Sequence, residues 1–413
     1  MIVAGAGPAG AVAARALARA GLDTLLVDRA VFPRNKPCGG GLTIRVRRRF
    51  PWLDAALSGV DVHQVSKLHL EAPGGVSLDL EHPDPCVLLV RRVEFDAALV
   101  RAAVAAGARL ESPFEIAQAE SGSGGVTIRA RDGRVRRAPM IVAADGVHSV
   151  VAKRLGVHAA WARDAVALDM MEETPNARLR AVRPDVLWVA YAHDGLDGYA
   201  YVFPKTHHVN VGIGCLVSHF REDRPGRPYA MQEAFVSSLV ERGALHGRSD
   251  RASFTPFLIP VGGPLARTWT DRALFAGDAG GFVNAITAEG IYYAMVSGEL
   301  AGQAIARSRA RPGTAGPSYE RAWRREVGAE LRDAVRVQRH LFTSKTRIGR
   351  AIGVAAAQPD FTSLILRYVR GESSYRALRW RVIAGFPRTA LTLALKGNQR
   401  IERVSELANE VTE

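Results

Sequence analysis

The first ten residues contain the pattern that most restricts what this chain can fold into. Gly5, Gly7 and Gly10 follow the spacing G-x-G-x-x-G after a short apolar stretch and before an alanine-rich segment, and Asp28 follows the next apolar stretch. In a βαβ unit, these glycines permit a tight turn, close approach of the backbone to a pyrophosphate, and close packing of the helix on the sheet. An acidic residue about 20 positions later contacts ribose hydroxyls. The pattern therefore predicts a Rossmann-type dinucleotide-binding unit.

The residues around this turn leave the choice of dinucleotide open at first. Ala9 falls in the first turn of the predicted helix, whose positive end is expected to receive the phosphates. Arg29 follows Asp28 and would suit a 2′-phosphate, as in NADP. A second glycine-aspartate turn at Gly277-Asp278, about 250 residues later, favours FAD, because FAD reaches a distant part of its domain with its flavin end.

The order of the predicted elements indicates the architecture. A β-α-β unit opens the chain, a mostly antiparallel block interrupts it, and a strand with a Gly-Asp turn and a helix returns to the first unit. The predicted class is α/β (α+β), with a Rossmann-type FAD-binding domain, an inserted antiparallel β-sheet substrate domain and a helical C-terminal region. The expected boundaries are 1–60, 91–158 and 263–310 for FAD binding, 61–90 and 159–262 for the substrate sheet, and 311–413 for the helical region.

Three further motifs accompany the glycine turn: a Cys-Gly-Gly-Gly loop, an aromatic strand, and the segment that contains Gly277-Asp278. They occupy residues 37–42, 198–205 and 275–294. With the first ten residues, they resemble the geranylgeranyl reductase family, one of the flavoproteins built like p-hydroxybenzoate hydroxylase. The resemblance covers roughly residues 1–305 and implies an FAD-dependent oxidoreductase.

The resemblance also implies which residues hold the flavin. The turn around Asp278 would meet the phosphate and ribityl chain, the N-terminus of the helix that starts at Gly290 would face the flavin pyrimidine, and the glycines after Cys38 would leave the ring face open. Arg92 would contact FAD, with Arg91 as the alternative. The predicted cofactor residues of this group are Cys38, Gly39, Gly41, Arg92, Asp145, Gly146, Gly277, Asp278, Gly290 and Ile291.

The aromatic strand is the predicted substrate surface. Tyr199, Tyr201 and Phe203 alternate along it, so they share one face, although an ordinary core would show the same pattern. The resemblance implies hydride transfer from reduced FAD to a double bond of a polyprenyl chain, and Cys38 and Tyr201 are the candidate catalytic residues. Cys38 could instead only fill space, and Lys205 at the strand end is expected to be solvated. The family usually has Trp at position 201 and a different loop at 285–288, which puts its usual substrate in doubt here.

Charge and composition suggest partners. The net charge is +14, and residues 302–413 contain 21 Lys and Arg against 10 Asp and Glu. Together with Phe361–Val369 and Trp380–Lys396, which combine arginines with apolar and aromatic residues, this favours peripheral contact with an anionic membrane. A helix packed on its own protein explains these segments equally well. No nucleic-acid motif accompanies the charge, so no nucleic-acid partner is expected.

Cysteine use and the remaining motifs complete the prediction. The chain has three cysteines and no CxxC or HExxH pattern, so neither a disulfide framework nor a metal site is expected. A cytoplasmic protein, or one on the inner face of the cytoplasmic membrane, fits best. The electron donor is left between NADPH and ferredoxin. The alternative functions are a flavin monooxygenase for an aromatic or polyketide-like substrate and a non-catalytic lipid binder that contains FAD.

Overall fold

A computed structural model describes residues 1–220, 227–342 and 344–384. The strands, in chain order, are β1 Ile2–Ala4, β2 Leu25–Val27, β3 Gly41–Thr43, β4 Val62–Val65, β5 Lys67–Ala72, β6 Val76–Glu81, β7 Val87–Val90, β8 Arg109–Glu111, β9 Ile116–Gly122, β10 Gly125–Ala130, β11 Val135–Ala138, β12 Ile141–Ala143, β13 Val166–Pro175, β14 Leu179–Ala181, β15 Val186–Tyr191, β16 Gly198–Pro204, β17 His208–Leu216, β18 Leu245–Gly247, β19 Phe254–Pro260 and β20 Ala273–Phe275. The α-helices are α1 Pro8–Arg19, α2 Arg45–Arg49, α3 Leu53–Ala56, α4 Arg92–Ala105, α5 Val150–Arg154, α6 Pro228–Glu241, α7 Ile291–Arg307, α8 Ala315–Trp323, α9 Ala329–Leu341, α10 Lys345–Ala357 and α11 Pro359–Val369.

The first glycine turn belongs to a five-stranded parallel sheet with the strand order β20-β12-β1-β2-β8. Its central strands are short and wholly apolar, as strands covered on both faces must be. Helices α1, α4 and α7 cover one face, and the antiparallel sheet β11-β10-β9 covers the other. These features confirm the α/β class and the Rossmann-type unit.

Small residues let α7 pack closely on α1. A Cβ atom added at Gly298 would lie 2.0 Å from the backbone oxygen of Ala9, and one added at Gly302 would lie 2.8 Å from that of Ala13. The two helices therefore meet backbone to backbone. This contact holds the N-termini of both helices at the same edge of the sheet, beside the glycine turn.

The second large sheet has seven strands in the order β19-β13-β17-β16-β15-β5-β6, and all its pairs are antiparallel except β15 with β5. Helix α6 packs on one face, against the residues of β13, β16 and β17 that point that way, such as Met170, Val202 and Val211. The opposite face carries the alternate residues of the same strands and looks toward the parallel sheet. The small sheet β3-β7-β4 connects the two parts.

The C-terminal helices cover both parts of the protein: α8 packs into the core shared by α1, α4 and α7, and the later helices fold back over the second sheet. Helices α8 and α9 are joined by a π-helical turn, α10 and α11 lie against β5, β6 and the aromatic strand β16, and residues 375–384 are also helical. In the part of the chain that is described, no helix is both long and apolar enough to cross a bilayer. Part of the predicted interfacial segment, 385–396, lies outside the described residues.

A buried cluster around Arg45 fixes the C-terminal helices to the rest of the protein. The guanidinium group lies 3.3 Å from Glu289 and 3.2 Å from Glu330. It also donates to the hydroxyl of Tyr293 at 2.8 Å and to that of Tyr368. Because one cation links α2, α7, α9 and α11, the position of the terminal helices is coupled to the loop that precedes α7.

Candidate functional site

The opening glycine turn has no room for side chains. A Cβ atom at Gly5, whose φ is +89°, would lie 2.3 Å from the backbone oxygen of Ala144, and one at Gly10 would lie 1.7 Å from the oxygen of Gly5. A positive φ at such a turn favours glycine. At Gly7 the space is open, and its nearest neighbour would be the Arg34 guanidinium at 3.6 Å. The turn thus brings the start of α1 to the edge of a cavity.

This first cavity has a volume of about 380 Å³. Thirteen of the predicted cofactor residues line it: Gly5, Gly7, Ala9, Asp28, Arg29, Cys38, Arg92, Asp145, Gly146, Gly277, Asp278, Gly290 and Ile291. Gly10 lies beneath the turn, where it serves packing, and Gly39 and Gly41 line a different cavity. The structure therefore brings together segments that are far apart in the chain.

Two helix N-termini face the first cavity. Among the described residues, no side chain caps α1 at Gly7 or α7 at Gly290, and neither helix has an acidic residue in its first turn. The free N–H groups and the positive end of a helix favour an anion or an electron-rich group. The first cavity therefore provides two sites for negative charge, as a dinucleotide pyrophosphate and a reduced flavin require.

Two backbone N–H groups hold the carboxylate of Asp28 in place. Its Oδ2 accepts from the Ala6 N–H at 2.7 Å and its Oδ1 from the Ala30 N–H at 2.9 Å, while only 8% of the residue is exposed. The carboxylate therefore faces the first cavity in a fixed orientation, which suits ribose hydroxyls. Arg29 is exposed at the rim of this cavity.

The two adjacent arginines have different environments. Arg92 is buried, lines the first cavity and makes two hydrogen bonds to Asp96, at 2.7 and 2.8 Å. Arg91 instead lies 3.5 Å from Glu94 and 3.5 Å from Glu173. Of the two, Arg92 is thus the arginine that lines the first cavity.

The second half of the first cavity is built by Asp145 and the Gly277 turn. The Asp145 carboxylate accepts from the Ser149 hydroxyl at 2.5 Å and from the Val151 N–H at 3.0 Å, so it caps α5. Burial raises the pKa of this carboxyl. The Gly277 N–H donates to the Ser297 hydroxyl on α7 at 2.9 Å, which holds the Asp278 turn against the helix. Hydrogen bonds thus hold both turns in place, and the residues present fit an extended FAD molecule.

A second cavity, of about 310 Å³, lies between the seven-stranded sheet, the Cys38 loop and the C-terminal helices. Its walls are mainly apolar, and α11 contributes Ile365, Leu366 and Val369. Six residues line both cavities: Cys38, Asp169, Ile259, Ala288, Gly290 and Ile291. The two cavities therefore share a wall at the end of the first cavity where α7 begins.

The aromatic strand β16 faces the second cavity with its three predicted substrate residues. The Tyr201 ring lies 4.6 Å from that of Phe203 and 6.1 Å from that of Tyr199. Phe203 packs so closely on the glycine loop that a Cβ at Gly39 would lie 2.9 Å from it and one at Gly41 3.1 Å. The glycines of this loop are thus needed for contact with the aromatic strand.

Cys38 is half-buried at the boundary between the cavities. The Gly40 N–H lies 3.4 Å from its sulfur, and its carbonyl accepts from the Asn210 side chain at 3.3 Å. The thiol is therefore held in place by its own loop and by β17, close to the shared wall.

Asp169 was not predicted from the sequence, yet it belongs to the shared wall. It is 5% exposed, and both its oxygens lie 3.2 Å from the Tyr201 hydroxyl. Burial raises its pKa to about 7. The one signal available in the sequence was an acidic residue between apolar neighbours in the first half of this strand, at 166–171, because a buried carboxyl is rare without a function or a partner.

The expectation for Lys205 was wrong. The residue is 4% exposed and its ammonium group pairs with Glu173. A Cβ at Gly40 would lie 3.1 Å from its Nζ, so the glycine loop covers it. Burial lowers its pKa. The end of β16 is therefore buried beneath the glycine loop. The position of Lys205 at the end of a strand could not indicate this burial.

Comparisons with known proteins agree with this geometry. Residues 1–319 match the family model described as an FAD binding domain. Digeranylgeranylglycerophospholipid reductase 1 of Methanopyrus kandleri is 32% identical over 321 residues, which cover 73% of this chain and 79% of the relative. The menaquinone reductase of Mycobacterium tuberculosis is 29% identical over 320 residues, covering 74% of this chain and 76% of the relative.

A solved structure supports the fold over nearly the whole chain. The geranylgeranyl bacteriochlorophyll reductase-like protein of Thermoplasma acidophilum superposes with a TM-score of 0.78 at 20% sequence identity, covering 95% of this chain and 98% of that one. At this identity the likeness shows the fold alone. It extends past the matched FAD domain into the C-terminal helices.

Proposed function

We propose a reaction from one premise: the chain belongs to the FAD-binding-domain family and, within it, to the geranylgeranyl reductases, and it is an FAD-dependent oxidoreductase. The proposed reaction is the reduction of carbon–carbon double bonds in a polyprenyl lipid of the geranylgeranyl type. The observation that supports it is the shared wall, by which an apolar cavity adjoins the end of the first cavity that is proposed to hold the flavin ring.

Reduced FAD, when bound, would supply hydride to the alkene. The protein must hold the lipid still and exclude water. Apolar residues from three parts of the chain serve this purpose: Phe203 on the aromatic strand, Leu70 and Leu80 on β5 and β6, and Leu366 on α11. A flexible hydrocarbon chain suits such a long apolar surface better than a compact polar molecule does.

Cys38 lines both cavities, and its thiol is proposed to orient the reacting end of the lipid or to exchange a proton there. Tyr199 bounds the cavity on the other side, where its hydroxyl donates to the Thr287 carbonyl at 2.6 Å. This bond ties the aromatic strand to the loop before α7. A lipid that enters between them would meet both the cofactor end and the aromatic strand.

The electron donor is proposed to be NADPH, bound briefly, or a ferredoxin. The sequence has a single G-x-G-x-x-G turn, which the FAD domain uses. The absence of a second such turn from the sequence agrees with an electron donor that has no permanent binding site of its own.

A polyprenyl substrate would be delivered from a membrane, and contact with an anionic bilayer is proposed for the C-terminal helices. The described residues of this region include exposed Trp380 and Ile383, at 58% and 49% exposure. Aromatic and apolar side chains among arginines are typical of interfacial helices.

An anaerobic reaction tests the proposed function. The FAD-loaded protein is reduced chemically without oxygen, a geranylgeranyl lipid is added, and the flavin absorbance is followed. Return of the oxidised spectrum, with saturated product detected by mass spectrometry, is the expected result. Rapid NADPH oxidation that consumes oxygen only in the presence of an aromatic substrate would instead favour a monooxygenase. Flavin that cannot be reduced at all would favour a lipid-binding protein.

A further inference from the structure

Tyr201 and Asp169 meet across an intervening strand. In the seven-stranded sheet, β17 lies between β13, which carries Asp169, and β16, which carries Tyr201. Neighbouring strands are about 4.8 Å apart, so the two Cα atoms are separated by two such spacings across the sheet. They are also offset by two residues along the strands, because Tyr201 is level with Gly212 and Asp169 with Gly214. The tyrosine side chain is long enough to cross that gap, and its hydroxyl reaches both carboxyl oxygens at 3.2 Å.

The crossing depends on glycines in the middle strand. Gly212 pairs with Tyr201 in register, and Gly214 pairs with Asp169. A Cβ at Gly212 would lie 2.5 Å from the Tyr201 hydroxyl oxygen and 2.6 Å from the ring carbon that bears it. Any side chain at position 212 would therefore collide with the bridge. The sequence of β17 leaves a channel through which the tyrosine contacts the acid.

The pair lies where a reacting double bond would be. Asp169 lines both cavities, whereas Tyr201 lines the second cavity alone. The acid thus sits at the shared wall and the phenol extends from it along the apolar cavity. This arrangement connects an ionisable group beside the cofactor to a hydroxyl that faces the lipid.

The surroundings keep the acid neutral over a useful pH range. The groups around it are the Tyr201 and Tyr199 phenols from β16, Cys38 from its loop, Cys215 from β17, and Lys36, whose ammonium lies 4.1 Å from the Phe257 ring on β19. Among these described groups, Lys36 is the one cation that favours the carboxylate, and the hydrogen bond from the Tyr201 hydroxyl favours it too. Burial is the larger effect and raises the pKa of Asp169 to about 7.

We propose that Asp169, acting through the Tyr201 hydroxyl, donates the proton in the alkene reduction. The inference rests on the proposed function and names the acid that it leaves open. Tyr201 gives its proton to one alkene carbon while it receives the Asp169 proton, and hydride from reduced flavin reaches the other carbon. The π bond is lost and two C–H bonds form. The flavin loses two electrons, the alkene gains them, and the Asp169 carboxylate recovers its proton from solvent.

Single-turnover reoxidation of reduced flavin by a geranylgeranyl lipid tests this role in the FAD-loaded protein. General acids contribute about 10²- to 10⁴-fold to a rate, so Asp169→Asn and Tyr201→Phe should each slow reoxidation by at least about 100-fold. Flavin content and lipid affinity should be unchanged. The wild-type rate should fall tenfold per pH unit above about 7, where Asp169 ionises, and Asp169→Asn should lose this dependence.

Glu172→Gln is the matched control. Glu172 is a buried carboxyl on the same strand, and burial raises its pKa too. It faces away from the cavities, where it accepts from Ser249 at 2.6 Å and from the Asp250 N–H at 3.1 Å. This variant should react at the wild-type rate with the wild-type pH profile.

Three results would overturn the proposal. One is wild-type reoxidation by Asp169→Asn at pH 6, and another is an equal loss in Glu172→Gln, which would indicate a structural effect. A slow Asp169→Asn beside an unchanged Tyr201→Phe would remove the hydroxyl from the path. Failure of the proposed function looks different, because the wild-type reduced flavin would then not react with the lipid at all.

Discussion

Replacing Asp169 by Asn should make the folded protein more stable, and most so in alkaline solution. The pKa of Asp169 is raised from an ordinary 3.8 to about 7 by burial, so the folded state binds its proton more tightly than the unfolded chain does. A group with a raised carboxyl pKa therefore destabilises the folded state as the pH increases. This loss begins near pH 4 and is complete slightly above pH 7.

The magnitude follows from the two pKa values. Each pKa unit corresponds to 1.36 kcal/mol. Compared with a residue that cannot ionise, Asp169 therefore lowers the free energy of unfolding by about 4 kcal/mol at pH 8 and by less than half of that at pH 5. An unfolding entropy of about 2.1 cal/mol/K per residue gives about 0.9 kcal/mol/K for a chain of this length. Asp169→Asn, which cannot ionise, should thus raise Tm by about 4 to 5 °C at pH 8 and by about 2 °C at pH 5.

Thermal unfolding of FAD-loaded wild type and variant, followed by circular dichroism at both pH values, measures the effect. Asp271→Asn is the control for the substitution itself, because Asp271 is exposed, and the gain in Tm expected for Asp169→Asn should be absent from it. A Tm for Asp169→Asn equal to or below that of the wild type at pH 8 would refute the reasoning. So would a gain of equal size at pH 5 and pH 8.

Four further outcomes are expected. Gly10→Ala should yield colourless protein, because the new Cβ would lie 1.7 Å from a backbone oxygen; Gly124→Ala, with open space around it, should keep the flavin absorbance. Arg45→Leu should lower stability by about 3 to 5 kcal/mol, since the buried Glu330 and the largely buried Glu289 lose their cation, which chemical denaturation measures. Cys38→Ala should retain FAD but reduce lipid more slowly in stopped-flow assays, and unchanged turnover would exclude the thiol from the reaction. Sedimentation with anionic liposomes should occur at low salt and be lost at high salt, and Trp380→Ser should weaken it; a protein that stays in the supernatant at low salt would contradict membrane contact.

The sequence predicted the FAD-binding domain because the constraints on its first unit are local. The spacing of Gly5, Gly7 and Gly10 specifies a backbone conformation, and the distance to Asp28 specifies one βαβ unit. The fold class and the FAD domain were confirmed on that basis. The Gly277 turn could be assigned to the same domain because it repeats the order of strand, glycine turn and helix found in the first unit.

The shared wall was harder to predict because it depends on pairing between distant strands. Tyr201 was predicted as a substrate-binding and candidate catalytic residue, but its contact with Asp169 arises only when β13, β17 and β16 lie side by side in one register. Lys205 was assigned to solvent for the same reason, since the loop that covers it lies about 165 positions earlier in the chain. Pairwise contacts of this kind leave no periodic pattern in a single sequence.

The position of α11 over the second cavity has a consequence for how this protein could diversify. Ile365, Leu366 and Val369 line the second cavity, yet they lie after residue 319, where the match to the FAD domain ends. Under the proposed function, mutations there would alter which hydrocarbon fits while the residues around the first cavity stay unchanged. Selection could then adjust lipid preference in the last part of the gene independently of the FAD domain, and the ion cluster at Arg45 would keep the two parts aligned.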